Sequence, residues 1–220
     1  MSDLLHSSAP QPTPYIKVCG MTEPANLAAV AALRPDFLGF IFYPHSRRYV
    51  GAQLSKLKLD QLPAGIRKVG VFVDETTAQI RARVAEFGLD MVQLHGHETP
   101  AQCAELRQAG IPVIKAFGVG AEFDFAQLNP YVGQVDYFLF DTQGRQPGGN
   151  GTAFDWGLLT RYRLPVPYFL AGGLAPEHAP VLRNLQLPGL FALDLNSRFE
   201  TAPGLKNTDL LGRMLNTLRP

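Results

Sequence analysis

Eight short apolar runs, each interrupted by little or nothing polar, constrain this chain more than any other feature. They lie at Tyr15 to Cys19, Phe37 to Phe42, Lys68 to Val73, Met91 to His95, Val113 to Ala116, Asp136 to Asp141, Tyr168 to Ala171 and Leu190 to Asp194. Runs of this length without strict polar alternation predict parallel strands covered on both faces. Helical patterns fill the gaps at Glu23 to Leu33, Ala52 to Lys58, Thr77 to Phe87, Pro100 to Ala109, Asp155 to Arg161, Pro176 to Asn184 and Asp209 to Leu218. Thr22 ahead of Pro24 and Thr99 ahead of Pro100 read as helix starts, since Pro is tolerated in a first turn that needs no amide donor. The stretch from Phe117 to Gln134 is punctuated by Pro and Gly and predicts only a degenerate helix. Eight β/α units predict a single-domain α/β fold over residues 15–220, an eight-stranded parallel (β/α)8 TIM barrel. An open doubly wound sheet would more often show fewer strands and a Gly-rich turn after the first. Residues 1–14, rich in Ser and Pro, are expected to form a flexible N-terminal tail.

Composition narrows the function classes. With 46% hydrophobic and 18% charged residues, the 220-residue chain has material for one core and too little charge for disorder. The net charge is +1 and the Lys and Arg residues are scattered, which argues against nucleic acid as a partner. No apolar run nears the roughly 20 residues that cross a bilayer. The opening MSDLLHSSAPQPTP lacks the basic and apolar regions of a signal peptide, so a cytoplasmic protein without a membrane partner is expected. Two cysteines, Cys19 and Cys103, make no disulfide framework and read as free thiols.

Barrel enzymes carry their chemistry at the C-terminal ends of the strands. There YIKVCG ends at Cys19 and VDYFLFDT at Asp141. Strand alternation puts Tyr15, Lys17 and Cys19 on one face, and Tyr137, Leu139 and Asp141 on another. A solitary Cys is more often a buried structural thiol, and a solitary Asp more often caps a turn. Delivery of both to one mouth, with the Gly-rich QGRQPGGNGTAFDW after Asp141 as a mobile cover, points instead to acid/base work. His95, His97 and Glu98 in MVQLHGHE invite a metal reading, yet a catalytic zinc needs three well-placed ligands and no second cluster supplies the rest. No metal or organic cofactor is therefore expected, and His95 reads as a hydrogen-bonding group lining the site. Gly172 and Gly173 in LAGGLAPEH, with Asn196 and Ser197 in LDLNSRFETAPGLK, suit a phosphate held by backbone N–H groups. In FYPHSRRYV, an Arg at a strand mouth can grip a carboxylate through its planar fork.

Taken in order, KVCGMT, GFIFYPHSRRYV, VGVFVDE, VQLHGHE, FLFDT, GGNGTAFDW, AGGL and DLNSRFETAPGLK resemble the phosphoribosylanthranilate isomerase family of tryptophan biosynthesis, from about Tyr15 to Asp209. The resemblance implies a TIM barrel that converts N-(5-phosphoribosyl)anthranilate into 1-(2-carboxyphenylamino)-1-deoxyribulose 5-phosphate without a cofactor. It implies Cys19 as general base and Asp141 as general acid. Arg48 then binds the anthranilate carboxylate, His95 lines the site and Asp194 lies beside the substrate, while Gly172, Gly173, Asn196 and Ser197 bind phosphate. Three places depart from the commoner family pattern: AGGL for SGGL, Asn196-Ser197-Arg198 for SSG, and GGNG for GGSG or GGTG.

Two rivals follow from the same residues. The histidine-pathway isomerase performs the same rearrangement with two carboxylates, but it places an Asp at the end of the first strand where this chain has Cys19. A barrel kept only to bind a phosphate ligand would retain the glycine loops and lose the acid/base pair, whereas both are present. The expected partner is a phosphorylated small molecule, and the expected assembly a monomer or homodimer.

Overall fold

The structure, a computed structural model, describes residues 13–51, 59–142 and 156–219. Eight parallel strands close into a barrel in sequence order: β1 (Tyr15–Cys19), β2 (Phe37–Ile41), β3 (Arg67–Phe72), β4 (Met91–Leu94), β5 (Val113–Val119), β6 (Tyr137–Thr142), β7 (Tyr168–Ala171) and β8 (Leu190–Leu195). Closure is direct, since β1 pairs with both β2 and β8, Lys17 standing opposite Asp194. The predicted barrel is therefore the observed one. The helices are α1 (Pro24–Ala32), α2 (Thr77–Phe87), α3 (Pro100–Gln108), α4 (Ala179–Arg183) and α5 (Thr208–Leu218).

The period-two pattern of each strand sorts its side chains into two apolar layers. Ile16, Val18, Leu38, Phe40, Phe138 and Phe140 join the larger core together with the helices. Phe37, Val69, Met91, Ile114, Leu139 and Phe169 fill the barrel interior, with Tyr137 and Phe191 packed against them. A barrel plugged by side chains confines any ligand to its mouth.

Several expectations shift at this level. Thr22 does not cap α1: Glu23 holds the cap position without a side-chain bond, and Thr22 Oγ1 donates to the Gly204 carbonyl. Thr99 does cap α3, accepting from the Gln102 amide. The pattern over Pro176 to Asn184 divides into a 3₁₀ turn, Pro176–His178, and the short α4. A second 3₁₀ segment, Phe125–Tyr131, stands where a degenerate helix was expected, and a third, Trp156–Arg161, replaces the α-helix read from Asp155. The expected helix at 52–58 and the Gly-rich loop at 143–155 lie outside the described residues, as does most of the tail. An element the sequence did not reveal follows β8, a small antiparallel hairpin of β9 (Glu200–Ala202) and β10 (Leu205–Lys206).

Candidate active site

A cavity of about 190 Å³ opens at the C-terminal end of the barrel. Its lining includes Cys19 from β1, Gln93 and His95 from the end of β4, Asp141 from β6, Gly172 and Gly173 after β7, Asp194 in β8, and Asn196 and Ser197 beyond it. Strands far apart in sequence thus deliver eight of the nine residues singled out above to one space. The ninth, Arg48, is not among its lining residues.

Cys19 is buried at the end of β1. Its partner across the sheet is Gly39, where an added β-carbon would lie 2.6 Å from Sγ, so only glycine leaves the thiol its place. Burial pushes the Cys19 thiol above its ordinary value, and Asp194 adds to that, while the ammonium groups of Lys17 and Lys206 pull it back down. The resting group is therefore a neutral thiol flanked by two cations. Lys17 donates to Asp194 Oδ2 at 2.7 Å, both groups being buried. Burial alone would drive Lys17 to lose its proton; Asp194 and Cys19 more than offset this and hold it above its ordinary value.

Asp141 faces His95, with Nε2 3.5 Å from Oδ2 and both side chains about a third exposed. His95 Nδ1 lies 2.9 Å from Gln93 Nε2. His95, His97 and Glu98, weighed above as metal ligands, point to different surroundings. His97 points to solvent beside Asp74, whereas Glu98 turns inward, accepts from the Gly96 and Asp74 amides and pairs with buried Lys115 at 3.1 Å. Among the described residues no three His, Cys, Asp or Glu side chains gather as a metal site.

Arg48 passes directly over the residue after Cys19. A β-carbon on Gly20, whose φ is +82°, would come within 2.7 Å of Arg48 Cδ, so glycine is required there on both steric and dihedral grounds. The guanidinium forms a fork with Glu200 of the hairpin, Nε and Nη2 each donating to the carboxylate, the shortest contact being 2.6 Å. Glu200 also accepts from Lys206 at 2.6 Å and from the Gly204 amide. Lys206 donates in turn to Asn196 Oδ1 at 2.7 Å. Glu200, buried but held by Arg48 and Lys206, lies below the usual carboxylate value. These two residues, with Lys17 and Gln93, were not read as part of the site from sequence, because nothing in their local spacing announces contacts made across the barrel.

Gly172 and Gly173 follow β7 with φ of +90° and +64°. Arg198, the departure next to Ser197, is exposed and is not among the cavity's lining residues.

A sequence profile described as N-(5'phosphoribosyl)anthranilate (PRA) isomerase matches residues 16–217. The chain belongs to this family. It is 43% identical over 204 residues to the N-(5'-phosphoribosyl)anthranilate isomerase of Parabacteroides distasonis, covering 92% of each chain. A crystal structure of phosphoribosyl anthranilate isomerase from Thermotoga maritima superposes with a TM-score of 0.81 at 32% identity, over 94% of this chain and 98% of that one. Another phosphoribosyl anthranilate isomerase, in complex with reduced 1-(o-carboxyphenylamino)-1-deoxyribulose 5-phosphate, superposes with a TM-score of 0.78 at 30% identity, over 94% and 98%. The protein is accordingly an isomerase of tryptophan biosynthesis, and no described helix is long and apolar enough to cross a membrane.

Proposed function

We propose that the chain carries out the Amadori rearrangement of N-(5-phosphoribosyl)anthranilate at this cavity, with Cys19 as general base and Asp141 as general acid. Opening the ribose ring needs a proton on the ring oxygen, and forming the enol needs the C2' proton removed, so an acid and a base must stand at different places around one sugar. The observation that carries the reading is the delivery of a thiol by β1 and a carboxylate by β6 to the same cavity. The thiol starts neutral, and the ammonium groups of Lys17 and Lys206 favour the thiolate it must become.

The remaining assignments follow the two ends of the substrate. Gly172, Gly173, Asn196 and Ser197 line one side and are proposed to take the phosphate through backbone N–H groups. Asp194 and His95 flank the ribose. Arg48 is proposed to take the anthranilate carboxylate, and its fork on Glu200 fixes the plane in which it does so. The enzyme is proposed to act in the cytoplasm, as a monomer or homodimer and without a cofactor.

The test is a fluorescence assay for loss of phosphoribosylanthranilate on adding the purified protein. Cys19→Ala and Asp141→Asn should each lower kcat by at least about 10²-fold, the lower range for general acid/base groups. A folded variant with near-normal kcat refutes the role given to its residue.

A further inference from the structure

Gln93 takes no part in the chemistry set out above, yet it lines the cavity and is almost fully buried. It stands two residues before His95, on the same face of β4. The amide nitrogen can only donate, so where Nε2 meets His95 Nδ1 at 2.9 Å the ring nitrogen must accept, and the ring proton of neutral His95 then sits on Nε2. That is the nitrogen facing Asp141 Oδ2 at 3.5 Å.

The carboxylate that Asp141 becomes once it has given up its proton favours one of the two ways of seating the amide. With Oε1 turned to the ring, His95 would carry its proton on Nδ1 and present a bare lone pair to the carboxylate. With Nε2 turned to the ring, an N–H faces the carboxylate instead. The second arrangement leaves Gln93 Oε1 buried without a hydrogen-bond partner among the described residues, an acceptor in a cavity proposed to hold a polyhydroxylated sugar.

We propose that Gln93 is a positioning residue for catalysis, fixing His95 in the tautomer whose Nε2–H faces Asp141. The inference rests on Asp141 acting as the general acid. When the Asp141 O–H bond breaks, the proton goes to the ribose ring oxygen and the electron pair stays on the carboxylate, which meets an N–H donor already in place. Stabilising the conjugate base in this way makes the acid a better donor.

The tautomer can be read without turnover. In protein carrying ¹⁵N-labelled histidine, long-range proton–nitrogen correlations, assigned with a His95→Gln variant, should show neutral His95 protonated at Nε2 and bare at Nδ1. Gln93→Glu replaces the donor by an acceptor, so the proton of neutral His95 should move from Nε2 to Nδ1, and at a pH where the spectra show the ring neutral kcat should fall on the order of 10- to 100-fold, less than on removing the acid itself. Gln93→Leu should leave a mixture of tautomers. Wild-type His95 protonated at Nδ1 overturns the proposal with no variant needed. So does a Gln93→Glu protein whose His95 is neutral, with Nδ1 protonated and Nε2 bare, while kcat stays within about twofold of wild type. Normal turnover by Asp141→Asn would instead remove the acid assignment beneath it, a separate result from the NMR readout.

Discussion

Replacing Lys17 by Met probes the electrostatic floor of the site, because the two side chains have similar length and differ in charge. Lys17 Nζ donates to Asp194 Oδ2 at 2.7 Å, and Asp194 Oδ1 has no hydrogen-bond partner among the described residues. The variant therefore leaves a buried carboxylate with neither oxygen paired. Removing one partner of a buried ion pair costs about 3–5 kcal/mol, against a total stability of about 5–15 kcal/mol for a domain, so the barrel should fold with a large part of its margin gone. The pH dependence has a definite sign. Burial already pushes Asp194 up, and without Lys17 to counter it the folded value must rise further above the ordinary 3.8. A carboxyl raised in the folded state takes up a proton there first, so the penalty is greatest above that raised value and shrinks as pH falls toward the unfolded one. Urea unfolding of wild type and variant at about pH 8 and about pH 5 measures both quantities. In a Cys103→Ala background, loss of the Lys17 charge should also move Cys19 further up and slow its alkylation at a given pH. A penalty under about 1 kcal/mol, or one equal at the two pH values, would refute the reasoning.

Three further outcomes are expected. Arg48→Ala should raise KM by about 30-fold, roughly 2 kcal/mol at the low end for a charge pair because Glu200 keeps Lys206 and the Gly204 amide, while exposed Arg47→Ala changes it little; unchanged affinity for product-like anthranilates in the Arg48 variant would remove its assignment. Glu200, whose folded value is depressed, contributes stability fully above its ordinary value of 4.5 and loses it as pH falls through the folded one, so Glu200→Gln should be less stable than wild type at neutral pH and converge with it in acid, as followed by urea midpoints across pH. Chelator-treated enzyme should keep full activity, and activity lost to chelator and restored by zinc would revive a metal reading at His95.

The barrel was legible because burial on both faces writes each strand as an apolar run, whatever the helices between them do. Its edges were less so. β5 runs on to Val119, past the expected end at Ala116, because Phe117, Gly118 and Val119 stay in register with Phe140, Asp141 and Thr142 of β6, a pairing no local pattern states. The expected helix from Pro176 breaks where Pro180 enters, since the ring leaves no amide to continue the first turn. Strand-end positions exposed Cys19, His95 and Asp141, one residue at a time, while Asp194 came in only through the family resemblance. What could not be read was which groups meet: Glu200 reaches Arg48 across 152 residues, and Lys17 reaches Asp194 across 177. The ionisation state of Cys19 was not legible for the same reason. It depends on the packing against Gly39 and on the charges of Lys17, Asp194 and Lys206, brought together by the fold, and desolvation outweighs the two cations.

The departure at Asn196 gains a physical meaning from those contacts. The commoner family residue there is Ser, whose hydroxyl sits closer to the backbone than an Asn amide oxygen. Here Oδ1 accepts from Lys206, Lys206 donates to Glu200, and Glu200 holds the fork of Arg48. One continuous chain of charge-assisted bonds thus runs from the loop proposed for phosphate to the guanidinium proposed for the anthranilate carboxylate, passing beside Cys19 through the field of Lys206. Burial pulls Lys206 below its ordinary value, and the hydrogen bond and charge of Glu200 work against that pull. An Asn at this position therefore reaches Cys19 through Lys206: by engaging the ammonium it fixes a cation that favours the thiolate, and it ties the loop proposed for phosphate to the same hairpin that holds Arg48.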